Sequence, residues 1–309
     1  MRRLKLPLPP RLFLRAAGAA IRDWYARLIR LPERPRAPHF RLSRLKPHRR
    51  TASADEIRAL ALAVPVGDDV VLCRVLGRFK IFVDARDRAL SPFLMLDGAW
   101  ELFVTEAMVS RIRPGMTVFD AGANLGYFTL LMAALVGPGG RVLAAEPNPR
   151  LASLLRQSVT LNGFDDRVTI HQSALGAVAG AEVLLKVPDG RPMNGHVVPG
   201  SGADSLRLRT VDEIVGDGPL DLIKIDVEGA EWELWQGMEQ VLARGRPLLV
   251  ILEFNRHRLA DPGDFLQSIA RHGFSIAWIH PKHGILPVDP TTILARESTG
   301  DWMLLLSRG

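Results

Sequence analysis

The stretch VFDAGANLGYFTLLM, Val118 to Met132, constrains this chain more than any other. Val118 and Phe119 suit a buried strand and Asp120 ends the apolar run. Gly122 and Gly126 then permit backbone conformations, and a close ligand approach, that a Cβ would obstruct. Beyond the turn, Phe128, Leu131, Met132 and Leu135 recur at helical spacing, so a helix is predicted to begin there with free backbone N–H groups pointing at the pocket. A second apolar run, RVLAAE, ends in Glu146, twenty residues after Gly126. A strand-to-helix turn would explain the glycines alone. An acid at the end of the next strand can accept both hydroxyls of a ribose, so the pair predicts a nucleoside site.

The order within the turn bears on which nucleoside. A dinucleotide fingerprint asks for G-x-G-x-x-G, whereas Ala121-Gly122-Ala123-Asn124-Leu125-Gly126 places Asn124 where a phosphate-cradling glycine would stand. Asp120, just ahead, would repel a pyrophosphate and suit a cationic sulfonium. The ligand expected on these grounds is S-adenosylmethionine rather than a nicotinamide dinucleotide.

DAGANLGYFTLL, followed by GGRVLAAEPNP and then LDLIKIDVEGAEWELWQGM, resembles the FkbM family of S-adenosylmethionine-dependent methyltransferases over roughly residues 95 to 255. IKIDVEGAE, Ile223 to Glu231, is its most specific part. The resemblance implies a class I, Rossmann-like methyltransferase fold with an antiparallel edge made by the last strand. It also implies methyl transfer, typically to a hydroxyl of a sugar, glycolipid or polyketide. It puts Ser173 and Ala174 at the adenine edge, where many relatives of the broad fold carry an acid, and lays the helix expected over Gly98–Ile112 beside the cofactor. Glu101 on that helix reads equally as a contact or as a solvated acid.

The remaining site expectations combine strand-end position with that resemblance. Asp120 and Gly122 should flank the methionine moiety, Glu146 should hold the ribose, and Asn124, Gly126 and Tyr127 should lie at the loop and helix start. Lys224 and Asp226 share one strand face by period two, and a buried Lys224 demands an acidic partner. Asp226 and Glu228 should stand at the pocket lip, with Glu231 near a helix N-terminus. A hydroxyl acceptor must lose its proton, for which Asp226, Glu228, Glu253 and His257 are the candidates. His171 reads as an ordinary strand residue. No tight His/Cys/Asp spacing compels a metal, so none is expected. The excursion Val187–Ser205, rich in glycine and proline, reads either as a mobile loop bearing acceptor recognition through Asn194 and His196 or as a plain surface loop.

From Met116 onward, strand-like and helical runs alternate, which predicts a mostly parallel sheet with helices on both faces, an α/β fold. Ahead of it, DDVVLCRVLGRFKIFVDARD can form two strands turning near Leu76-Gly77-Arg78. The expected organisation is an arm over 1–50, strands and a helix over 51–112, and the methyltransferase domain over 113–309. Residues 1–50 carry 15 Lys or Arg against two acids, a net +13, while the remainder carries 25 against 31, a net −6. Within the arm, Leu14, Ala17, Ile21, Trp24 and Leu28 fall on one side of a potential helix over Arg11–Arg30, with arginines at its edges. That pattern suits a helix packed on the body or a dimer partner, an anionic membrane surface, or a solvated or nucleic-acid-contacting arm. The prolines of PERPRAPHF, Pro32–Phe40, mark a linker.

The lone cysteine, Cys73, excludes an intrachain disulfide framework. No apolar run reaches the roughly 18 residues of a spanning helix, so a cytoplasmic protein, with or without peripheral membrane contact, is expected. The acceptor is expected to be a small molecule, glycan or lipid, with RNA as the rival substrate. A non-enzymatic membrane or nucleic-acid adaptor resting on the arm is the other class in view.

Overall fold

The computed structural model describes residues 39–202, 204–295 and 300–309. The helix expected over Arg11–Arg30 and most of the proline-rich linker lie outside them. Phe40, Leu42 and Leu45, in the last part of the segment read as the arm, are buried in the body's core.

Helix α1 (Arg50–Leu60) leads into an antiparallel sheet of β1 (Leu62–Gly67), β2 (Val70–Val75) and β3 (Phe79–Asp84), with β2 and β3 joined by the expected turn. Strand β1 is an addition to the sequence reading. It carries Pro65, is exposed at every residue and forms the sheet's edge, where a missing N–H is tolerated. Two short helices follow, α2 (Ser91–Leu96) and α3 (Leu102–Arg111). The helix expected from Gly98 starts only at Leu102, because Glu101 adopts a left-handed φ of 38° that breaks the helical path.

The main body runs through β4 (Thr117–Ala121), α4 (Tyr127–Val136), β5 (Arg141–Ala145), α5 (Pro149–Leu161) and β6 (Val168–His171). The glycine-rich excursion then folds as a small antiparallel sheet of β7 (Glu182–Lys186), β8 (His196–Pro199) and β9 (Ser205–Arg207). After α6 (Val211–Val215) come β10 (Leu222–Ile225), α7 (Glu231–Gln236), α8 (Glu239–Ala243) and β11 (Leu248–Phe254). The chain closes with α9 (Pro262–Arg271), β12 (Ser275–His280), β13 (Gly284–Pro287), α10 (Pro290–Ala295) and β14 (Trp302–Arg308).

The eight strands of the large sheet lie in the order β13-β12-β14-β11-β10-β4-β5-β6. Pairing is parallel from β6 to β11, as the alternation predicts. The last strand is antiparallel but is not an edge: β14 inserts between β11 and β12, and the edge on that side is β13, which the sequence reading did not include. A seven-residue run as apolar as WMLLLSR gains more by burial on both sides than by an edge position.

Period-two alternation divides the central strands between two cores. Val118 and Leu222 join α3, α4 and α5 on one face, while Phe119, Ile223 and Ile225 pack with Trp235 and Phe265 on the other. The first face also receives Asp120 and Lys224, which sit in register on neighbouring strands. The small N-terminal sheet closes against α5, whose side chains satisfy the free edge of β3: Phe82 N–H donates to Ser158 Oγ at 2.9 Å, and Lys80 N–H to Asn162 Oδ1 at 3.1 Å.

Candidate functional site

After β4 the chain moves to one side for β5 and β6, then returns to β10 on the other, so the order reverses between β4 and β10. Ligands of open α/β sheets bind outside the carboxyl ends at such a point. A pocket enclosing about 920 Å³, its mouth included, opens there. Its floor is set by Gly122, with φ of 80°. A Cβ at Gly122 would fall on the backbone carbonyl oxygen of Asp226 and stand 2.9 Å from its carbon. The ends of β4 and β10 therefore approach to a distance that only glycine allows.

Glu146 follows β5 and is 6% exposed. Its Oε2 accepts the Asn124 N–H and its Oε1 the Asn148 N–H, both at 2.8 Å. Burial pushes its carboxyl up to about 7, against the pull of those two hydrogen bonds. Asn124, in the left-handed region at φ 53°, turns its own Oδ1 onto the Leu125 N–H at 2.8 Å. Two N–H groups of the glycine turn, ahead of α4, are thus taken by side chains rather than left open toward the pocket. What the turn does instead is hold Glu146 in place.

Tyr127 lines the pocket while its hydroxyl is held 3.2 Å from Thr105 Oγ1. Ser173 and Ala174 line the opposite wall, and the buried Ser173 Oγ has no hydrogen-bond partner. His171 lies behind them with Nδ1 at 2.9 Å from Arg209, a strand residue as expected.

Two expected cofactor contacts lie elsewhere. Asp120 is fully buried and is not part of the pocket wall; its Oδ2 accepts the Thr129 hydroxyl at 2.6 Å. Strand alternation turns it into the α4-side core, where burial raises its carboxyl above the usual range and the facing Lys224 opposes that rise. Gly126 caps α4 at φ 94° and packs against Leu155, away from the pocket wall.

At the lip, Lys224 Nζ donates to Asp226 Oδ2 at 2.7 Å and stands 5.1 Å from the centre of the Phe128 ring. The partner demanded by a buried lysine is thus the acid two residues on. Glu228, at φ 55°, accepts from Asn194 Nδ2 at 3.2 Å and lies 3.5 Å from Arg258. Asn194 therefore ties the excursion to the lip, whereas His196 is exposed and outside the pocket wall. Glu253 sits behind the lip, 3.0 Å from Arg258, and is not part of the wall. Burial first, then the charges of Asp226 and Asp301, push its carboxyl up to about 10. The Arg258 guanidinium opposes that rise. Glu231 Oε1 accepts the N–H groups of Val227 and Gly229 at 3.1 and 3.0 Å and so shapes the loop, while His257 is exposed beyond β11. Sequence reasoning missed Arg258, which joins Glu228, Glu253 and Asp301. The basic run RHR directly after the acid-bearing strand was the available signal.

Among the described residues, no group of three or more His, Cys, Asp or Glu is arranged to hold a metal ion, and no helix is long and apolar enough to cross a membrane.

A doubly wound sheet with a strand-end acid and a glycine-floored pocket at its switch point defines a class I, Rossmann-like nucleoside-binding domain. The model of the FkbM methyltransferase domain matches residues 120–276, and the chain belongs to that family. It is 30% identical to "Methyltransferase sdnD" of Sordaria araneosa, over 43% of this chain and 64% of that one. It is 38% identical to "31-O-demethyl-FK506 methyltransferase FkbM" of Streptomyces tacrolimicus, over 33% of this chain and 37% of that one. Each match spans less than two thirds of the relative. The crystal structure of "Methyltransferase FkbM" from Methylobacillus flagellatus KT aligns with a TM-score of 0.41 and 18% identity, covering 70% of this chain and 52% of that one.

Proposed function

We propose that the chain is an S-adenosylmethionine-dependent methyltransferase acting on a hydroxyl of a small-molecule acceptor of sugar, glycolipid or polyketide type. The observation that carries this reading is the pairing of a glycine-floored cradle with a strand-end carboxylate whose two oxygens are already oriented by backbone N–H groups. The residues present fit the cofactor: Gly122 lets the ends of β4 and β10 close into a floor that a Cβ would force apart, and the buried Ser173 hydroxyl at the pocket wall has no protein partner. An oxygen acceptor is supported by the Streptomyces relative, whose name describes methylation of a 31-O-demethyl compound.

When bound, S-adenosylmethionine supplies a methyl group on a positive sulfonium, already activated for transfer. Glu146 accepts the ribose hydroxyls on its remaining lone pairs, and Ser173 serves the adenine edge. Asp226 and Glu228 bring negative charge to the lip, where it favours a cationic centre. Trp100 and Leu90 close one side and Pro192 and Val197 of the excursion another, excluding water. What the protein adds to the chemistry is mainly alignment of acceptor oxygen, methyl carbon and sulfur.

Glu146→Ala is expected to weaken S-adenosylmethionine at least about tenfold, since hydrogen bonds to a charged group contribute about 1.5–3 kcal/mol. Calorimetric titration checks this, and unchanged affinity removes Glu146 from the site. Ribose hydroxyls donate to the ionised carboxylate, so binding favours the charged form. Affinity should therefore climb as pH rises towards about 7 and level off above it. The same raised value means that the folded protein holds a proton the unfolded chain has released, so this group costs stability as pH rises through that window. Radiolabelled methyl transfer into fractionated glycans, lipids and RNA tests the activity. Label appearing only in RNA would replace the small-molecule reading, and no S-adenosylmethionine binding at all would end it.

A further inference from the structure

A second recess opens along the same carboxyl edge, over the ends of β12 and β14. Its walls are Phe103, Trp278, Pro281 and Trp302, and Glu101 and Asp301 bring carboxyl groups to it. Glu101 lies between the two cavities in the chain: its neighbour Trp100 lines the cofactor pocket, while Glu101 itself lines the recess. Its carboxyl lies within electrostatic reach of Asp226, Lys224 and Asp301.

The other acids at this edge are committed. Asp226 is bound to Lys224, Glu253 to Arg258, Glu228 to Asn194 and Arg258, and Asp301 to Asn255 and Arg258. The Glu101 carboxyl alone among them accepts no hydrogen bond and makes no ion pair with any described residue; the Glu101 carbonyl, by contrast, accepts from Val104 and Thr105 at the start of α3. Its backbone is also held in the left-handed region at φ 38°, a strained conformation for a residue with a long side chain. A partly buried, unpartnered and strained acid between two cavities is an arrangement that stability alone does not favour. Burial, reinforced by the charge of Asp226 and opposed by Lys224, pushes its carboxyl up to about 7, so it can both take and release a proton near neutrality.

We propose that the aromatic recess over β12 and β14 receives the acceptor and that Glu101 is the catalytic residue that takes the proton from its hydroxyl. This rests on the methyltransferase reading above. As the hydroxyl O–H bond breaks, its proton goes to a Glu101 carboxylate oxygen. The oxygen's electron pair forms the new bond to the methyl carbon, while the carbon–sulfur bond breaks and leaves its pair on a neutral sulfur. Glu101 then returns the proton to water at the open side of the recess.

The test uses the full chain, with the acceptor fraction that takes label from the wild type as the probe. Glu101→Gln should lower labelled methyl transfer about 100-fold or more, the lower end of what a positioned base contributes. Its S-adenosylmethionine affinity by calorimetry should stay within about threefold of wild type, because Glu101 lies outside the ribose and adenine contacts. Glu101→Asp should keep a measurable part of the rate. Phe103→Ala should raise the acceptor KM with the cofactor affinity unchanged. Independently of turnover, carbon-13 NMR of glutamate-labelled protein should show one carboxyl titrating near neutrality that is absent from Glu101→Gln. Wild-type rates in Glu101→Gln, in a protein that binds S-adenosylmethionine and transfers methyl, would overturn this proposal and leave the methyltransferase reading standing. A wild type that does not bind the cofactor would defeat that reading first.

Discussion

Gly122→Ala should abolish measurable S-adenosylmethionine binding and lower the melting temperature by several degrees. The added Cβ would land on the carbonyl oxygen of Asp226, a backbone atom just past the end of the neighbouring parallel strand β10 rather than the end of a flexible side chain. Relief requires the ends of β4 and β10 to separate, and those ends carry the pocket floor and the lip acid together. Overpacking of a rigid site costs about 1–3 kcal/mol, and a non-glycine residue held at φ 80° adds about 1–2 kcal/mol. Calorimetric titration and a thermal melt read the two consequences separately. Affinity within about threefold of wild type would mean that the floor is not where the cofactor rests.

Lys224→Met should be the most destabilising single change at the site. The side chain is 2% exposed, its ammonium bonded to Asp226 at 2.7 Å, and the buried Asp120 faces it in register. Methionine fills a similar volume but leaves these carboxyls without a counter-charge. Breaking a buried pair by removing one partner costs about 3–5 kcal/mol. The lower end applies here, since Asp226 is 25% exposed and water can reach it. The loss should depend on pH with a definite sign. Burial already raises the Asp120 carboxyl, and without Lys224 it rises further. A carboxyl raised on folding costs stability as pH climbs through its titration range, so the deficit against wild type should be larger at pH 8 than at pH 5.5. Urea unfolding at both values checks this. An equal deficit at the two would show that Lys224 acts through packing on Phe128 rather than through charge.

Much of the site could be read residue by residue. Gly122, Asn124, Tyr127, Glu146, Ser173, Ala174, Asp226 and Glu228 all line the cofactor pocket, because each lies in the first few residues after a strand that sheet topology brings to one edge. Asp120 stands outside the pocket wall for a reason the sequence also contained. It is the last polar position within β4, and period two assigns it to the same face as Val118, which is core. Glu253 stands outside the pocket wall, paired with Arg258 five residues on, and the charge of Asp301 reaches it only because β14 lies beside β11.

Hydrophobic periodicity, glycine placement and strand-end acids are local properties, written in the order of residues. They determined the alternating α/β architecture, the glycine at position 122 and the placing of Glu146 at the end of β5. Where β14 lies, which acids share Arg258, and that Glu101 is left without a partner between two cavities were decided by tertiary packing. Those outcomes depend on which apolar faces compete for burial and on charges that separate elements bring together, as with Glu101 and Asp226 or Arg258 and Asp301.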